Sequence, residues 1–301
     1  MHVSLATEAA PGRDGGVAGG DRGAEFVAAT SDAIVLLDGT GPGPGEDSGC
    51  SHGVPWYVRS LGAVLLSELS QPSWPLPRIL SRAIKHVTSL HDFTCDLSRP
   101  GAPAASVVMT RRTRDALEYL VLADAVIVLD VGAPEPLVIR DRHAPPDPAG
   151  EAVAQTVGAV AARYGPAAAP AAPDAPGAPA APGPSHPPAA QAGAPHGHHG
   201  SHQDAHHDPW TACTDPLAAD RALTGSVPLD QVRAVALLSV GASRLIDAFR
   251  LTSWRHLLAL LGRHGAREAI RQMRAAEQLG LAACHRPYPA RDASIAYWEP
   301  S

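Results

Sequence analysis

The sequence predicts an α+β fold in which antiparallel sheets are packed by pairs of helices. The first observation behind this is the grouping along the chain. Strand-like segments are followed by two helical segments and more strands, and after an interruption come a strand, several helices and a final strand. The second observation is that the strand-like segments of the first half are joined by short connections. Parallel strands need long crossovers, so short connections favour antiparallel pairing.

Strands are predicted where β-branched and apolar residues run together or alternate with polar ones. In the first half these segments are 3–7, 25–30, 34–38, 104–111, 117–122, 126–130 and 137–140. The segments 25–30 and 34–38 flank a Ser31-Asp32 turn and are predicted to form a hairpin. The four segments from 104 to 140 are predicted to form one antiparallel meander.

Helices are predicted where apolar residues recur at three- and four-residue spacing. The first two span 54–69 and 76–90, and the prolines between them suit the start of the second helix. A third is predicted over 150–164. The same pattern continues at 244–249, 254–261 and 264–278, between the predicted strands 234–239 and 292–298.

The composition excludes several classes of protein. Of the 301 residues, 45% are hydrophobic but only 4% are aromatic, so the core must be mainly aliphatic. A net charge of −6 gives no general attraction to nucleic acid or to an anionic membrane, and no apolar run is long enough to span a bilayer. The first residues lack the pattern of a signal peptide, and the four cysteines have no framework spacing. We therefore expect a cytoplasmic protein.

A biased segment interrupts the chain. Residues 166–195 are almost wholly Ala, Pro and Gly and cannot bury a core, so a disordered spacer is predicted. A polar tract with seven histidines follows: His186, His196, His198, His199, His202, His206 and His207. Clustered imidazoles bind Zn²⁺, Ni²⁺ or Cu²⁺, so a metal-responsive role for the tract is one open hypothesis.

The first candidate site lies at Asp38. Asp38 closes an apolar strand and is followed by Gly39 and Gly41, which allow close approach of the backbone to a ligand. A carboxylate beside exposed carbonyls suits a hard cation such as Mg²⁺ or Mn²⁺. The alternative is an ordinary strand that ends in an Asp-Gly turn.

A second candidate is formed by Cys50 and His52 together with His91 and Cys95. Two thiols and two imidazoles are enough for a tetrahedral Zn²⁺ site. The one-residue gap between Cys50 and His52 is unusual, however, and buried Cys and His are common in cores. Packing without a metal is therefore the alternative.

Two enzyme classes are disfavoured. Ser106, Ser239 and Ser243 lack both the flanking glycines of a nucleophile elbow and a paired base, which argues against a serine hydrolase. The chain also has no Gly-Lys-Ser/Thr motif to hold phosphates, which argues against an NTPase.

Four motifs stand in a fairly specific order: Asp38-Gly39-Thr40-Gly41, Leu122-Ala123-Asp124-Ala125, Leu238-Ser239-Val240-Gly241-Ala242-Ser243 and Arg291-Asp292-Ala293-Ser294-Ile295-Ala296. Together with segments 56–59, 91–97 and 223–228 they resemble the type 2C metal-dependent protein phosphatases, most closely actinobacterial members. The resemblance implies a four-layer αββα sandwich. It also implies one domain made of residues 1–165 and 209–301, interrupted by an insert over 166–208.

The resemblance implies roles for individual residues. In this family two Mg²⁺ or Mn²⁺ ions share a carboxylate, polarise the phosphoryl oxygen and activate a bridging water. Asp38 matches the bridging acid, Gly39 the residue whose carbonyl is a ligand, and Asp124 the acid of a further metal. Glu25 stands where the family has another acid, and Arg22 lies near its phosphate-binding arginine.

Two departures affect the metal site. Val240 replaces one ligand aspartate, and Arg291 replaces another. A guanidinium about 4 Å from a divalent ion is repelled by roughly 8 kcal/mol at an effective dielectric constant of about 20. The neighbouring Asp292 could serve instead, although it is one residue out of step and a one-residue shift turns a side chain to the other face. Arg291 could also pair with Asp38 or hold a phosphate as a bidentate fork.

The leading interpretation is therefore a phosphatase-like domain with an impaired two-metal site and no metal cofactor. It would act in cytoplasmic signalling as a monomer that binds a protein or phosphoprotein partner, not nucleic acid or a membrane. The alternative is an active Mg²⁺- or Mn²⁺-dependent serine/threonine phosphatase. That enzyme would use Asp38, Asp124, Glu25 and Asp292.

Overall fold

The computed structural model describes residues 2–11, 23–42, 47–91, 94–97, 99, 101–141, 210–284 and 290–300. The predicted helix over 150–164 and the predicted insert over 166–208 lie outside the described residues. None of the helices in the described ranges has both the length and the apolar composition that crossing a bilayer requires.

The described strands form two antiparallel sheets of five strands each. In chain order they are β1 (His2–Glu8), β2 (Glu25–Ala29), β3 (Ala33–Thr40), β4 (Ala104–Arg112), β5 (Ala116–Leu122), β6 (Val126–Asp130), β7 (Leu137–Arg140), β8 (Leu223–Pro228), β9 (Ala234–Leu238) and β10 (Ala293–Glu299). The β3 sheet has the order β2-β3-β4-β5-β8, and the β10 sheet has the order β1-β10-β9-β6-β7. Each sheet therefore contains strands from both sides of the range 142–209.

Helices cover the outer face of each sheet. They are α1 (Gly53–Glu68), α2 (Leu76–Ser89), α3 (Val240–Asp247), α4 (Trp254–His264) and α5 (Ala266–Cys284). The apolar stripes of α1 and α2 pack on the β3 sheet, and those of α3, α4 and α5 pack on the β10 sheet. The predicted α+β fold, a four-layer αββα sandwich, is confirmed.

The alternation along β3 shows how the layers are built. Val35 and Leu37 face α1 and α2, whereas Ile34 and Leu36 face the β10 sheet. These four side chains are buried, and successive residues of a strand point to opposite faces. A continuous apolar run is what a strand between two packed layers needs, and this run places Asp38 at the end of the strand.

The prediction of one meander from residue 104 to 140 is wrong. β4 pairs with β5, and β6 pairs with β7, but β5 and β6 lie in different sheets. The chain crosses between the sheets at Ala123-Asp124-Ala125, where Ala123 has a φ of 63°. Short connections also suit strands in facing sheets, so connection length alone did not distinguish the two arrangements. Asp124 therefore lies in the connection between the two sheets.

Two other elements differ from the prediction. Strand β8 was not predicted, and it forms an edge of the β3 sheet beside β5. The helix predicted over 244–249 begins earlier, at Val240, because Ser239 ends the preceding strand region and occupies the N-cap position. Val240 is therefore the first residue of α3 and not the last of a strand.

Candidate functional site

The predicted site residues come together where β2, β3, α3 and the start of β10 meet. Glu25 and Asp38 are directly opposite each other across β2 and β3. The backbone N–H of Val240 donates a hydrogen bond to Asp38 Oδ2 at 3.2 Å. Asp292 lies immediately before β10. Arg22 lies outside the described residues.

Asp38 is held at the N-terminus of α3. Its pKa is raised to about 6, chiefly because burial removes the charged carboxylate from water. The hydrogen bond from Val240 and the charge of Arg291 lower this pKa, whereas the charges of Asp292 and Asp124 raise it. At neutral pH Asp38 is an anion in a poorly solvated place.

Glu25 is buried beside Asp38, but its hydrogen-bond donor is a side chain and not a backbone N–H. Ser294 Oγ donates to Glu25 Oε2 at 2.5 Å, and the Ser294 backbone N–H donates to Ser239 Oγ at 2.9 Å. Burial, followed by the charge of Asp38, raises the pKa of Glu25 well above its usual value. Glu25 Oε1 is buried and has no hydrogen-bond partner among the described residues. Burial and the charge of Asp38 therefore both favour the protonated form of Glu25.

Asp292 links separate parts of the backbone. Asp292 is 6% exposed, its Oδ1 accepts a hydrogen bond from the Ala10 N–H at 2.8 Å, and its Oδ2 accepts one from the Ala24 N–H at 2.7 Å. A Cβ on Gly241 would lie 1.9 Å from the Asp292 carbonyl oxygen, so only glycine fits this close approach. The proposed metal-ligand role of Asp292 stays a prediction, and both carboxylate oxygens already bind backbone donors.

Arg291 and Asp124 complete the site. The exposed Arg291 lowers the pKa of both Asp38 and Asp124 through its charge. Within the described part of the chain, no hydrogen bond or ion pair joins its guanidinium to either carboxylate, so the Arg291–Asp38 pair, one of the two alternatives for Arg291, is not formed. Desolvation raises the pKa of Asp124, Arg291 lowers it, and Asp141 raises it. In the part of the chain that the structure describes, Asp124 Oδ1 is buried without a hydrogen-bond partner.

Several features of this site bear on whether it could hold two Mg²⁺ or Mn²⁺ ions. Such ions need several converging oxygen ligands. Val240 offers only an N–H here, Asp292 binds two backbone donors, and Arg291 adds a positive charge. Across the described ranges, the carboxylates of the site do not form a group of three or more with ligand atoms close enough for one ion, whereas a Cys/His cluster elsewhere does.

Some residues of the site were not identified from the sequence. Ser294 and Ser239 are fully buried and connect Glu25 to the start of α3. The sequence signal that could have identified Ser294 was a serine in an otherwise apolar final strand. A buried hydroxyl needs a hydrogen-bond partner, so such a serine indicates a polar contact in the core. The partner itself is 269 residues away and could not be predicted from local pattern.

Asp38→Asn is expected to stabilise the protein at neutral pH. The folded pKa of Asp38, about 6, lies above its ordinary value of 3.8, so the folded state binds more protons between these values. Wild-type stability should therefore fall as pH rises from about 4 to 6, and Asn avoids this loss while still accepting the Val240 hydrogen bond. We expect a gain of about 1–3 kcal/mol in the free energy of unfolding at pH 7.

Urea unfolding of both proteins at several pH values between 4 and 7 checks this prediction. The advantage of Asp38→Asn should be small at pH 4 and should grow toward pH 7. A variant that is less stable than wild type at pH 7 contradicts it.

Comparisons with known proteins agree with this architecture. No protein-family model and no curated protein matches the chain. A solved bacterial serine phosphatase is similar with a TM-score of 0.54 and 10% identity, covering 99% of this chain and 96% of its own. Stp1, a serine/threonine phosphatase from Staphylococcus aureus, is similar with a TM-score of 0.50 and 10% identity, covering 100% of this chain and 95% of its own.

A third similar structure is the catalytic domain of the serine/threonine phosphatase PstP in complex with two manganese ions. Its TM-score is 0.51 at 12% identity, with 98% of this chain and 96% of that chain covered. These likenesses show that the chain has the fold of the type 2C phosphatases. At such low identity they show the fold alone, and the likeness to actinobacterial members stays a prediction.

Proposed function

We propose that this chain is a phosphatase-like binding domain whose two-metal centre is impaired, and that it takes part in signalling by binding a protein or phosphoprotein. One observation carries the proposal: Asp38 and Asp292 are bound to backbone donors of the protein, and the carboxylates of the site that the structure describes do not converge on a common point. Asp38 accepts from Val240 N–H, and Asp292 accepts from Ala10 N–H and Ala24 N–H. A fold can persist after its usual chemistry is lost.

Electrostatics supports the same proposal. A divalent ion beside Asp38 would be repelled by Arg291, whose charge already acts on Asp38 and Asp124. It would also compete with the proton that burial favours on Glu25. Each effect lowers the affinity for a metal ion, and both act on the place where the family has its bridging carboxylate.

Arg291 gives a reason to include phosphorylated partners. Its guanidinium is exposed and has no ion-pair partner among the described residues. A guanidinium can bind two oxygens of a phosphate at once. The nearby Asp38 and Asp124 oppose an anion, so we expect weak binding that depends on contacts with the rest of the partner.

An active Mg²⁺- or Mn²⁺-dependent serine/threonine phosphatase is the second candidate. Asp124 Oδ1 favours it, since this buried oxygen has no hydrogen-bond partner within the described ranges and a cation would satisfy it. The similar PstP structure also holds two manganese ions. This candidate requires the site to tolerate Val240 and Arg291.

Hydrolysis of a phosphothreonine peptide with added Mn²⁺ separates the two candidates. The full chain and Asp38→Asn are compared, because both carry the same histidine tract. We expect no hydrolysis above the Asp38→Asn background. Turnover by wild type that disappears in Asp38→Asn overturns the proposal in favour of the active enzyme.

Peptide binding tests the phosphoprotein part of the proposal. We expect the phosphothreonine peptide to bind more tightly than its unphosphorylated form, and Arg291→Gln to remove the difference. Equal binding of the two peptides by wild type would exclude phosphate recognition and leave only an unphosphorylated protein partner.

A further inference from the structure

Four potential metal ligands converge away from the carboxylate site. Cys50 and His52 lie between β3 and α1, and His91 and Cys95 lie just after α2. Their ligand atoms are all within 4.8 Å of one another. The two pairs are about 40 residues apart in sequence, so the fold, and not local chain geometry, brings them together.

The distances between the sulfur and nitrogen atoms fit one ion bound in tetrahedral geometry. With Zn–S near 2.3 Å and Zn–N near 2.0–2.1 Å, tetrahedral geometry places sulfur and nitrogen ligands about 3.6 Å apart. Cys50 Sγ lies 3.8 Å from His52 Nδ1 and 3.7 Å from His91 Nε2. Cys95 Sγ lies 3.4 Å from His52 Nδ1. Side chains packed only by their apolar parts would not direct four ligand atoms at one point.

Groups around the sulfurs are suited to thiolates. The His52 backbone N–H donates to Cys50 Sγ at 3.4 Å. The hydroxyl oxygens of Ser51 and Thr94 lie 3.6 Å and 3.5 Å from Cys95 Sγ. Hydrogen-bond donors of this kind commonly surround the sulfurs of bound metals and orient the ligands.

Trp56 fixes the two imidazoles. Its ring stacks on His52 with centroids 4.3 Å apart and lies 4.8 Å from His91. His91 is 2% exposed, whereas Cys50, His52 and Cys95 are partly exposed. One side of the cluster is therefore packed and the other can admit an ion from solvent.

We propose that Cys50, His52, His91 and Cys95 bind one Zn²⁺ as a structural ion with four protein ligands. Two thiolates and two imidazoles are a donor set that suits Zn²⁺ over Mg²⁺ or Mn²⁺. The ion would tie the segment between β3 and α1 to the segment after α2. These segments already touch, since Asp96 N–H donates to the Gly49 carbonyl at 2.8 Å.

The ion would also support the start of α1. His52 is the N-cap residue of α1, and Val54 lies in the first turn of this helix. A Cβ on Gly39 would lie 2.5 Å from Val54 Cγ1, so Val54 packs closely on the residue that follows Asp38. Zn²⁺ would thus stabilise the helix that supports one side of the carboxylate site, whether or not that site is catalytic.

Cobalt spectroscopy of the full chain tests the proposal. The chain is purified with a reductant and a chelator, the chelator is removed, and Co²⁺ is added. We expect thiolate-to-cobalt charge transfer and the strong visible bands of tetrahedral Co²⁺, saturating at one ion per chain and disappearing when Zn²⁺ is added. The histidine tract has no sulfur and cannot produce the charge-transfer band.

Two cysteine variants provide the comparison. Cys95→Ser should lose the charge-transfer intensity of one sulfur and bind Co²⁺ at least about tenfold more weakly. Cys213→Ser removes a half-buried thiol outside the cluster and should keep the wild-type spectrum. Circular dichroism of each variant shows whether it is folded.

Three results would overturn the proposal. The first is Co²⁺ uptake without a sulfur band in wild type whose thiols are shown to be reduced, which would mean adventitious binding by histidines only. The second is a spectrum that Cys95→Ser leaves unchanged in a folded protein. The third is a Cys50–Cys95 disulfide in the purified chain whose reduction gives no Co²⁺ binding.

Discussion

Val240→Asp combined with Arg291→Asp is expected to raise the affinity for Mn²⁺ beside Asp38 by at least about tenfold. The change supplies two carboxylates and removes a guanidinium. At an effective dielectric constant of about 20, one positive charge about 4 Å from a divalent ion costs roughly 8 kcal/mol. Relief of only a quarter of that repulsion, about 2 kcal/mol, already exceeds a tenfold change.

Electron paramagnetic resonance of unbound Mn²⁺ measures this affinity. The histidine tract is present in every variant, so the relevant quantity is the binding lost when Asp38→Asn is added to the double variant. Arg267→Asp provides a charge control, because Arg267 is exposed on α5 and its replacement lowers the net charge by two, as Arg291→Asp does, against three for the double variant. An equal gain in that control, or no gain in the double variant, contradicts the prediction.

The same preparations can be assayed on the phosphothreonine peptide. Hydrolysis by the double variant alone would show that catalysis depends on these two positions. It would also support the proposal that the wild-type site is impaired and not simply specific for another substrate.

Glu277→Gln is expected to lower the free energy of unfolding by about 3–5 kcal/mol. Glu277 is 3% exposed and accepts from Arg244 Nη1 at 3.4 Å and from Arg274 Nη1 at 2.7 Å. Arg244 and Arg274 are 2% and 6% exposed. Removing the carboxylate leaves two buried guanidinium groups facing an uncharged amide.

Glu268→Gln is the matched control for that change. It lies on the same helix and pairs with Arg271 at the surface, where water and salt screen the interaction. Urea unfolding at neutral pH should show a large loss for Glu277→Gln and no measurable loss for Glu268→Gln. Equal losses would show that burial is not what makes the Glu277 network important.

The sequence predicted most elements of the fold because their signals are local. The apolar run from Ile34 to Leu37 needed no knowledge of distant residues, and the structure buries all of it. The assignment of strands to sheets was less successful. The step at Asp124 looks like a turn within a meander, and only the packing of the two sheets shows that it is a crossing.

Some residues that lie together at the candidate site could be named from the sequence, but Ser239 and Ser294 and the contacts of the site could not. The order of the motifs placed Asp38, Val240 and Asp292 near one another. The donors to Asp292, Ala10 N–H and Ala24 N–H, are 282 and 268 residues away in sequence and carry no side-chain signal. Backbone groups can be any residue type, so their roles appear only in three dimensions.

For the Cys/His cluster, unlike the contacts of Asp292, the sequence carried a side-chain signal. The sequence revealed the donor types, which pointed to zinc chemistry, and also an unusual one-residue spacing that argued against it. The structure brings the four donor side chains together in spite of this spacing: His52 is the N-cap residue of α1, and its ring stacks on Trp56.

The position of β10 has a consequence for how the chain folds. β10 lies between β1 and β9, and its first and last residues pair with Glu8 and His2. The first strand therefore gains its sheet partner only when residues 293–299 are available. Contacts this distant in sequence carry a high loop-closure entropy and slow folding. During synthesis, the β3 sheet can be completed by β8 before the β10 sheet is complete. Until β10 is available, the backbone groups of β1 have no sheet partner and can pair with strands of other chains.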